Sequence, residues 1–292
     1  MPTPRQSVPV LLHGFLGFPR LGPIAYFRGV EAALRDCGVT PLIPALPPAS
    51  SVSDRAEALA KVLKQHPSPT FVLIGHSMGG LDGRFLITHL DPEHRVRSLV
   101  TVATPHRGTA VARDILDGRG PLSAVARRYW RSALTDLDPA TRLHDIIADR
   151  PGVRYCSYAA GRRTDELPFW LVPFARFLQG DNDGLVSRDS ATWGHFCGSV
   201  HADHFEAVGW SLAWPSRKAR RPFDHIPFWR RIVTDAIASD GPTGEDHEQG
   251  TITRPTREDR TVENVPPRWD SGLSPYHTNT FRDGMVGLPE HH

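Results

Sequence analysis

One serine stands in a sequence setting that suits a nucleophile. The pentapeptide GHSMG at positions 75–79 follows the apolar run Thr70–Ile74 and precedes a helical pattern that carries Leu81 and Phe85. A strand, a sharp turn and a helix in this order place a serine hydroxyl at the carboxyl end of a sheet. Glycine on both sides suits a crowded, strained turn. We therefore predict that Ser77 attacks carbonyl carbon atoms.

A glycine-rich loop after the first apolar run could stabilise the charge that such an attack creates. HGFLG at positions 13–17 directly follows Val8–Leu12. A loop there can aim the N–H of Phe15 at the oxygen that the N–H of Met78 also reaches, and each such donor lowers the barrier by roughly 3 kcal/mol. The alternative is an ordinary glycine-rich turn. We expect His13 to be structural, because it precedes the serine in the chain.

An acid and a base are expected downstream of the serine. GDNDGLVS at positions 180–187 offers Asp183, which is followed by glycine and an apolar pair. His204 begins a helix-like run and suits a base on a loop after the last strand. We predict that Asp183 orients His204, which takes the proton of Ser77. Three other candidates remain open: Asp181, His195 and His201.

Short apolar segments typical of strands alternate along the chain with segments of helical periodicity. This alternation predicts an α/β fold with a mostly parallel sheet and helices on both faces. Unalternated apolar runs are typical of parallel strands that are buried on both sides. The predicted strands are Val8–Leu12, Val39–Ile43, Phe71–Gly75, Leu99–Ala103 and Val153–Ala160. The predicted helices include Ser53–Gln65, with Asp54 and Glu57 as a start signal, and Asp224–Ala238.

The chain divides into a predicted catalytic domain, 1–239, and a polar tail, 240–292, that we expect to be disordered or to wrap the surface. Within the domain, segments 105–149 and 165–180 lose the strand rhythm and are predicted to form a small helical cap. The second segment is rich in aromatic residues, which favours a cleft lining over plain core packing. The predicted substrate contacts are Leu16, Phe169, Trp170 and Phe174.

Composition and cysteine count indicate which classes of partner and which cellular compartment to expect. The 292 residues carry a net charge of +2, which gives no reason to expect nucleic acid as a partner. We expect no transmembrane segment, since no run approaches the ~18 apolar residues that a span needs. Three cysteines favour free thiols in a reducing compartment, although one disulfide with one thiol left over stays open. The sequence as written predicts a cytoplasmic protein, or a secreted one if a signal peptide was removed.

Several segments together resemble the pseudomonad-type bacterial triacylglycerol lipases of the α/β-hydrolase superfamily. The similar segments are HGFLGFPRLGPIAYFRGVEAALRDCG, IGHSMGG, VATPHRGT, DNDGLVS and HADHFEAV. The resemblance implies the α/β-hydrolase fold and a serine hydrolase that cleaves carboxylic esters through an acyl-enzyme. It also implies the triad Ser77, Asp183 and His204, and the oxyanion-hole donors Phe15 and Met78.

The chain also departs from that family. The stretch between nucleophile and acid is short, which implies a reduced lid, and Asp189 stands where a disulfide cysteine is expected. The family holds a structural calcium ion near the triad. Glu206 and, more loosely, Asp165 occupy the positions of its acidic ligands here. We expect no cofactor and no metal, although oxygen ligands of this sort could still bind calcium.

The expected substrates are esters of short to medium fatty acids, including lipid esters, and polyesters fit a reduced lid as well. One alternative is an amidase or an acyltransferase that uses the same triad. Another is a hydrolase-fold protein that binds an apolar ligand without catalysis. Oligomeric state is left open by the sequence.

Overall fold

The protein is described by a computed structural model that covers residues 7–119, 123–211 and 221–239. The tail predicted for 240–292 lies outside the described residues. None of the helices in the described ranges is long and apolar enough to cross a membrane.

Five parallel strands form the central sheet, in the spatial order β1-β4-β5-β6-β7. These strands are β1 (Val8–Leu12), β4 (Phe71–His76), β5 (Val96–Val102), β6 (Arg154–Ala160) and β7 (His195–Val200). A separate antiparallel hairpin consists of β2 (Arg20–Leu21) and β3 (Ile24–Ala25). The predicted fold class, a mostly parallel α/β sheet, is confirmed.

Helices cover the sheet and surround its carboxyl end. They are α1 (Val30–Arg35), α2 (Val52–Gln65), α3 (Met78–Phe85), α4 (Ala110–Leu116), α5 (Ser123–Tyr129), α6 (Arg131–Leu137), α7 (Leu143–Ile146), α8 (Val172–Ala175), α9 (Arg188–Ala191) and α10 (His225–Ala238). A π-helical turn, Leu86–Leu90, continues α3, and a 3-10 turn, Glu206–Val208, follows the loop of His204.

Strand β4, the second in the sheet, shows why the sheet is covered on both faces. Every residue of its sequence FVLIGH is buried. Val72 and Ile74 pack in one apolar cluster with residues of α1 and α10. Phe71 and Leu73 pack in a second cluster with residues of α2. Because alternate side chains point to opposite faces, an unalternated apolar run needs a helix on each side.

Several predicted features differ in the structure, among them the strand predicted at Leu99–Ala103, which runs from Val96 to Val102. Val39–Ile43 is not a strand, and only Leu42 forms an isolated bridge, to Val10. Pro41 interrupts this run, lacking the N–H that a strand ladder needs. Helix α2 begins one residue earlier than predicted, after Ser51, whose hydroxyl accepts a hydrogen bond from the Asp54 N–H at 3.2 Å.

Cys156 on β6 and Cys197 on β7 form a disulfide, with 6.1 Å between their Cα atoms. Cys37 is a free, exposed thiol. The favoured expectation of three free thiols is therefore wrong, and the alternative of one disulfide with one thiol left over is correct. The pairing was hidden in the sequence because β7, with a glycine and polar residues between its apolar ones, does not look like a strand.

Loss of this disulfide should lower the stability of the folded protein. Cross-linking residues 41 positions apart restricts the unfolded chain, so replacing both Cys156 and Cys197 by serine should lower the free energy of unfolding by about 2–4 kcal/mol. Urea unfolding followed by circular dichroism measures this. The matched control, Cys37→Ser, should unfold like the wild type. Equal midpoints for the double variant and the control, without reductant, would refute the bond.

Three histidines are buried in the interior and are kept neutral there. Burial, with a smaller effect of Arg55, lowers the pKa of His13 from 6.5 to about 4. Burial also holds the pKa of His76 and the pKa of His106 well below 6.5. Below about pH 6.5 the unfolded chain therefore binds protons that the folded chain excludes. Each of these residues makes folding less favourable as the pH falls.

The free energy of unfolding should consequently decrease between pH 6.5 and pH 4, by up to about 1.4 kcal/mol per pH unit for each buried histidine. In His106→Gln this slope should be shallower by about one histidine's share, because the glutamine binds no proton. Urea unfolding at a series of pH values measures the slope. Replacing the exposed His94 by asparagine, which tolerates its positive φ of 53°, should leave it unchanged. Parallel slopes for His106→Gln and the wild type would contradict the assignment.

Candidate active site

Ser77, His204 and Asp183 form a continuous row of hydrogen bonds. Nε2 of His204 lies 3.0 Å from Oγ of Ser77, and Nδ1 lies 2.7 Å from Oδ2 of Asp183. All three residues are buried. With Nδ1–H donating to the carboxylate, Nε2 is the nitrogen that accepts the serine O–H. The arrangement can move a proton from the hydroxyl to the imidazole.

The nucleophile turn is as tight as its glycines suggest. Ser77 joins β4 to α3 with φ 55° and ψ −131°, a conformation that non-glycine residues rarely adopt. A Cβ at Gly75 would lie 2.5 Å from the backbone nitrogen of Gly80, and one at Gly79 would overlap the backbone of Leu12. Both glycines are therefore required by backbone crowding, and the turn leaves the Ser77 hydroxyl facing His204.

Asp183 is held by backbone donors of its own loop. Its Oδ1 accepts hydrogen bonds from the N–H of Leu185 at 2.9 Å and of Val186 at 2.7 Å. Its backbone oxygen accepts the N–H of His204 at 3.0 Å. The carboxylate thus keeps one oxygen for the loop and the other for the imidazole.

The other candidates lie elsewhere. His195 begins β7 and is exposed at the end of the sheet opposite to Ser77. Nε2 of His201 lies 3.4 Å from a carboxylate oxygen of Glu166. Asp181 is exposed, and its backbone oxygen accepts the N–H of Arg188. None of the three hydrogen-bonds to Ser77 or His204.

The loop 13–17 lies directly against the nucleophile. A Cβ at Gly14 would be 2.8 Å from the Cβ of Ser77. The Gly14 N–H donates to the Tyr26 hydroxyl at 3.0 Å, and that hydroxyl also bonds Nδ1 of His76 at 2.8 Å. Among the described residues, the N–H groups of Phe15 and Met78 have no hydrogen-bond acceptor. Both N–H groups are thus unpaired within the described residues.

A buried ion pair fixes this loop to the helix that follows the nucleophile. Arg55 on α2 is fully buried and binds the carboxylate of Asp82 on α3, with distances of 3.0 and 2.8 Å to Oδ2. Its Nη2 also donates to the backbone oxygen of His13 at 2.7 Å. Burial raises the pKa of Asp82 to about 6, against the opposing effect of the guanidinium. One side chain thereby spans the loop 13–17, α2 and α3.

An apolar cleft of about 580 Å³ opens at Ser77 and His204. Both predicted cap segments supply side chains to it. Of the predicted substrate contacts, Leu16, Trp170 and Phe174 line the cleft, together with Phe15, Phe18, Thr109, Ile115, Leu134 and Leu137. Phe169 does not line it: this side chain is 75% exposed and lies outside the cleft. Aromatic density alone does not give the direction of each side chain, and Phe169 precedes the four-residue helix of the segment, Val172–Ala175.

The residues that could hold a calcium ion do not fit one. Glu206 binds the guanidinium of Arg162 at 3.0 Å, and Asp165 binds that of Arg163 at 3.1 Å. Each of these carboxylates is thus already paired with an arginine. In the ranges that the structure describes, no group of three or more acidic, histidine or cysteine residues could hold a metal ion.

Sequence reasoning missed the side chains that support the site: Tyr26, Arg55, His76, Asp82 and Arg162. A signal for the ion pair was present, because Arg55 occupies the apolar stripe of α2 that also carries Ala56, Leu59 and Leu63. A charged residue at a buried helix position needs a buried partner. No comparable pattern marked Tyr26, whose contacts depend on the path of the loop.

Comparisons with known proteins agree with this geometry. Residues 51–169 match the family of PGAP1-like alpha/beta domains. Triacylglycerol lipase 2 of Saccharomyces cerevisiae is 29% identical over 211 residues, which cover 66% of this chain and 65% of that protein. A triacylglycerol lipase of Pseudomonas fragi is 34% identical over 107 residues, covering 35% of this chain and 36% of that protein. The chain thus spans less than two thirds of the length of these relatives.

Solved structures show the same fold. A metagenomic carboxyl esterase superposes with a TM-score of 0.59 at 24% identity, covering 80% of this chain and 75% of that one. A mature lipase of Bacillus licheniformis gives 0.59 at 19% identity, covering 73% and 90%. The chain therefore has the fold of these lipases and esterases, and part of its sequence is similar to those of triacylglycerol lipases.

Proposed function

We propose that the protein is a carboxylic ester hydrolase, a lipase or esterase, that acts through an acyl-enzyme on Ser77. The observation that carries the proposal is the unbroken hydrogen-bonded row from Asp183 through His204 to Ser77, at the mouth of an apolar cleft. The similarity to triacylglycerol lipases supports the same reaction.

In the first step, Nε2 of His204 takes the proton of Ser77 while Oγ attacks the ester carbonyl carbon. Asp183 keeps the imidazole in the required tautomer and stabilises its charged form. The negative oxygen of the tetrahedral intermediate accepts hydrogen bonds from the N–H groups of Phe15 and Met78. These donors need no reorganisation, because both already lack an acceptor within the described chain.

Collapse of the intermediate releases the alcohol, which leaves with the proton from His204. The acyl group then remains on Oγ of Ser77. Water enters, gives its proton to His204 and attacks the acyl carbonyl carbon through a second tetrahedral intermediate. Oγ regains its proton as the carboxylic acid departs.

The cleft supports esters of short to medium fatty acids, including lipid esters, as substrates. Its lining is almost wholly apolar, so an acyl chain loses contact with water on entering. The cleft is open to solvent, which also suits a polyester chain that passes across the site.

The disulfide gives an indication of the cellular compartment in which the protein acts. A bond between Cys156 and Cys197 persists best in an oxidising compartment. This supports the secreted alternative over the cytoplasmic one.

The decisive test of enzyme against binding protein is covalent labelling at Ser77. A fluorophosphonate probe should label the wild type, and Ser77→Ala should lose both the label and at least about 10³-fold in nitrophenyl ester hydrolysis. Replacing the exposed Ser199 by alanine should change neither. Undiminished labelling of Ser77→Ala, or an unlabelled wild type without ester turnover, would reject the proposal.

Chain-length preference should respond to the cleft lining. Nitrophenyl esters from acetate to palmitate should give the highest kcat/KM at short to medium length. Phe174→Ala should reduce kcat/KM for medium chains by about tenfold, because it removes apolar contact in the cleft. The matched control is Phe169→Ala, because Phe169 is an aromatic residue of the same segment that lies outside the cleft. This variant should leave the chain-length profile unchanged. An identical effect of the two variants would contradict this placement of the acyl chain.

A further inference from the structure

Arg162 is a buried cation close to the proposed catalytic residues but not in contact with them. It lies two residues after β6, and its side chain is 2% exposed. Nε and Nη2 each lie 3.0 Å from Oε2 of Glu206, whose side chain is also 2% exposed. Nη2 further donates to the backbone oxygen of Arg221 at 3.0 Å. Burying two charges has a desolvation cost, which the ion pair and its additional hydrogen bonds must offset.

The backbone of Arg162 binds the loop that carries the acid. Its N–H donates to the backbone oxygen of Asn182 at 3.0 Å, and the two residues form a short antiparallel bridge. Asn182 directly precedes Asp183. The position of Arg162 is therefore fixed relative to the carboxylate that orients His204.

The side chain of Arg162 binds the loop that carries the base. Oε2 of Glu206 also accepts the N–H of Asp203 at 3.1 Å. Oδ1 of Asp203 accepts the N–H groups of Phe205 and Glu206, each at 2.9 Å. These bonds close a turn around His204, and the guanidinium anchors that turn through Glu206.

We propose that Arg162 is a positioning residue that holds the His204 loop against the Asp183 loop, so that Nδ1 of the imidazole meets the carboxylate. The inference rests on the proposed function of the triad. The guanidinium of Arg162 supplies a positive charge to an acidic residue that resemblance to the lipases implies as a calcium ligand. Glu206, at the position of one of the implied ligands, binds this internal cation instead. Neither the fold nor the reaction then depends on calcium.

The test compares two neighbouring arginines. Arg162→Met removes the buried cation, whereas Arg163→Met removes an exposed one from the ion pair with Asp165. Arg162→Lys and Glu206→Gln are milder variants in case Arg162→Met does not fold. Circular dichroism and the melting temperature establish folding, and all kinetics are measured well below the melting temperature.

In Arg162→Met, kcat for a nitrophenyl ester should fall by about 10–100-fold with KM changed less than about threefold, because the base is misplaced and the cleft is intact. Arg162→Lys should have a higher kcat than Arg162→Met, because an ammonium group keeps the positive charge but cannot reproduce the pair of guanidinium N–H donors. Arg163→Met should behave like the wild type. Wild-type kcat in a folded Arg162→Met, or in both folded milder variants, would overturn the proposal.

A spectroscopic readout separates this proposal from the function itself. The Nδ1–H proton of His204, hydrogen-bonded to a buried carboxylate, should give a downfield proton NMR signal that disappears in His204→Ala. The signal should weaken or vanish in Arg162→Met and persist in Arg163→Met, whether or not the protein hydrolyses esters. Persistence in a folded Arg162→Met would count against positioning even if ester turnover is found.

Calcium provides the last arm of the test. Added calcium chloride or a chelator should leave the melting temperature of the wild-type protein unchanged. A melting temperature that falls with chelator and recovers with calcium would show a calcium site and overturn the proposal. Such a result would leave the function of the triad standing, because ester hydrolysis and labelling of Ser77 are measured separately.

Discussion

The hydrogen bond between Nε2 of His204 and Oγ of Ser77 joins two loops that lie 127 residues apart in the chain. It forms only if β4 and β7, separated in the sheet by β5 and β6, end at the same edge. Parallel strands meet this requirement because all their carboxyl ends lie together. The sheet is thus the scaffold for one short contact, and the helices stabilise the sheet by covering its two apolar faces.

Buried charges hold the loops at that edge. Arg55 with Asp82 fixes the loop 13–17 to α3, and Arg162 with Glu206 fixes the loop of His204. An apolar contact between two loops is weakly directional, whereas a guanidinium binds carboxylates and backbone oxygens along defined directions. The desolvation cost of each charge is offset by several hydrogen bonds. Both loops gain fixed positions in this way.

Sequence reasoning predicted the parts of the structure that depend on local patterns. The unalternated run before Ser77, the glycines around it and the periodic helices α2 and α10 all appear in the structure near their predicted positions. The three residues of the triad were predicted from motifs and chain order, and the structure brings them together.

What the sequence did not reveal depends on contacts between distant segments. The partners of Arg162 lie at positions 182, 206 and 221, so no local window contains the set. Strand β7 is short and partly exposed, and its hydrogen bonds to β6 determine its conformation more than its own residues do. The direction of Phe169 likewise does not follow from the aromatic density of its segment.

The order of strands in the sheet also affects how the protein is made. From β4 onward, each strand lies beside the one that precedes it in the chain, so a growing polypeptide can add them one by one at a single edge. Strand β7, which precedes the loop of His204, is the last to be added. Until it docks, the serine of a ribosome-bound chain lacks His204, the base of the proposed mechanism.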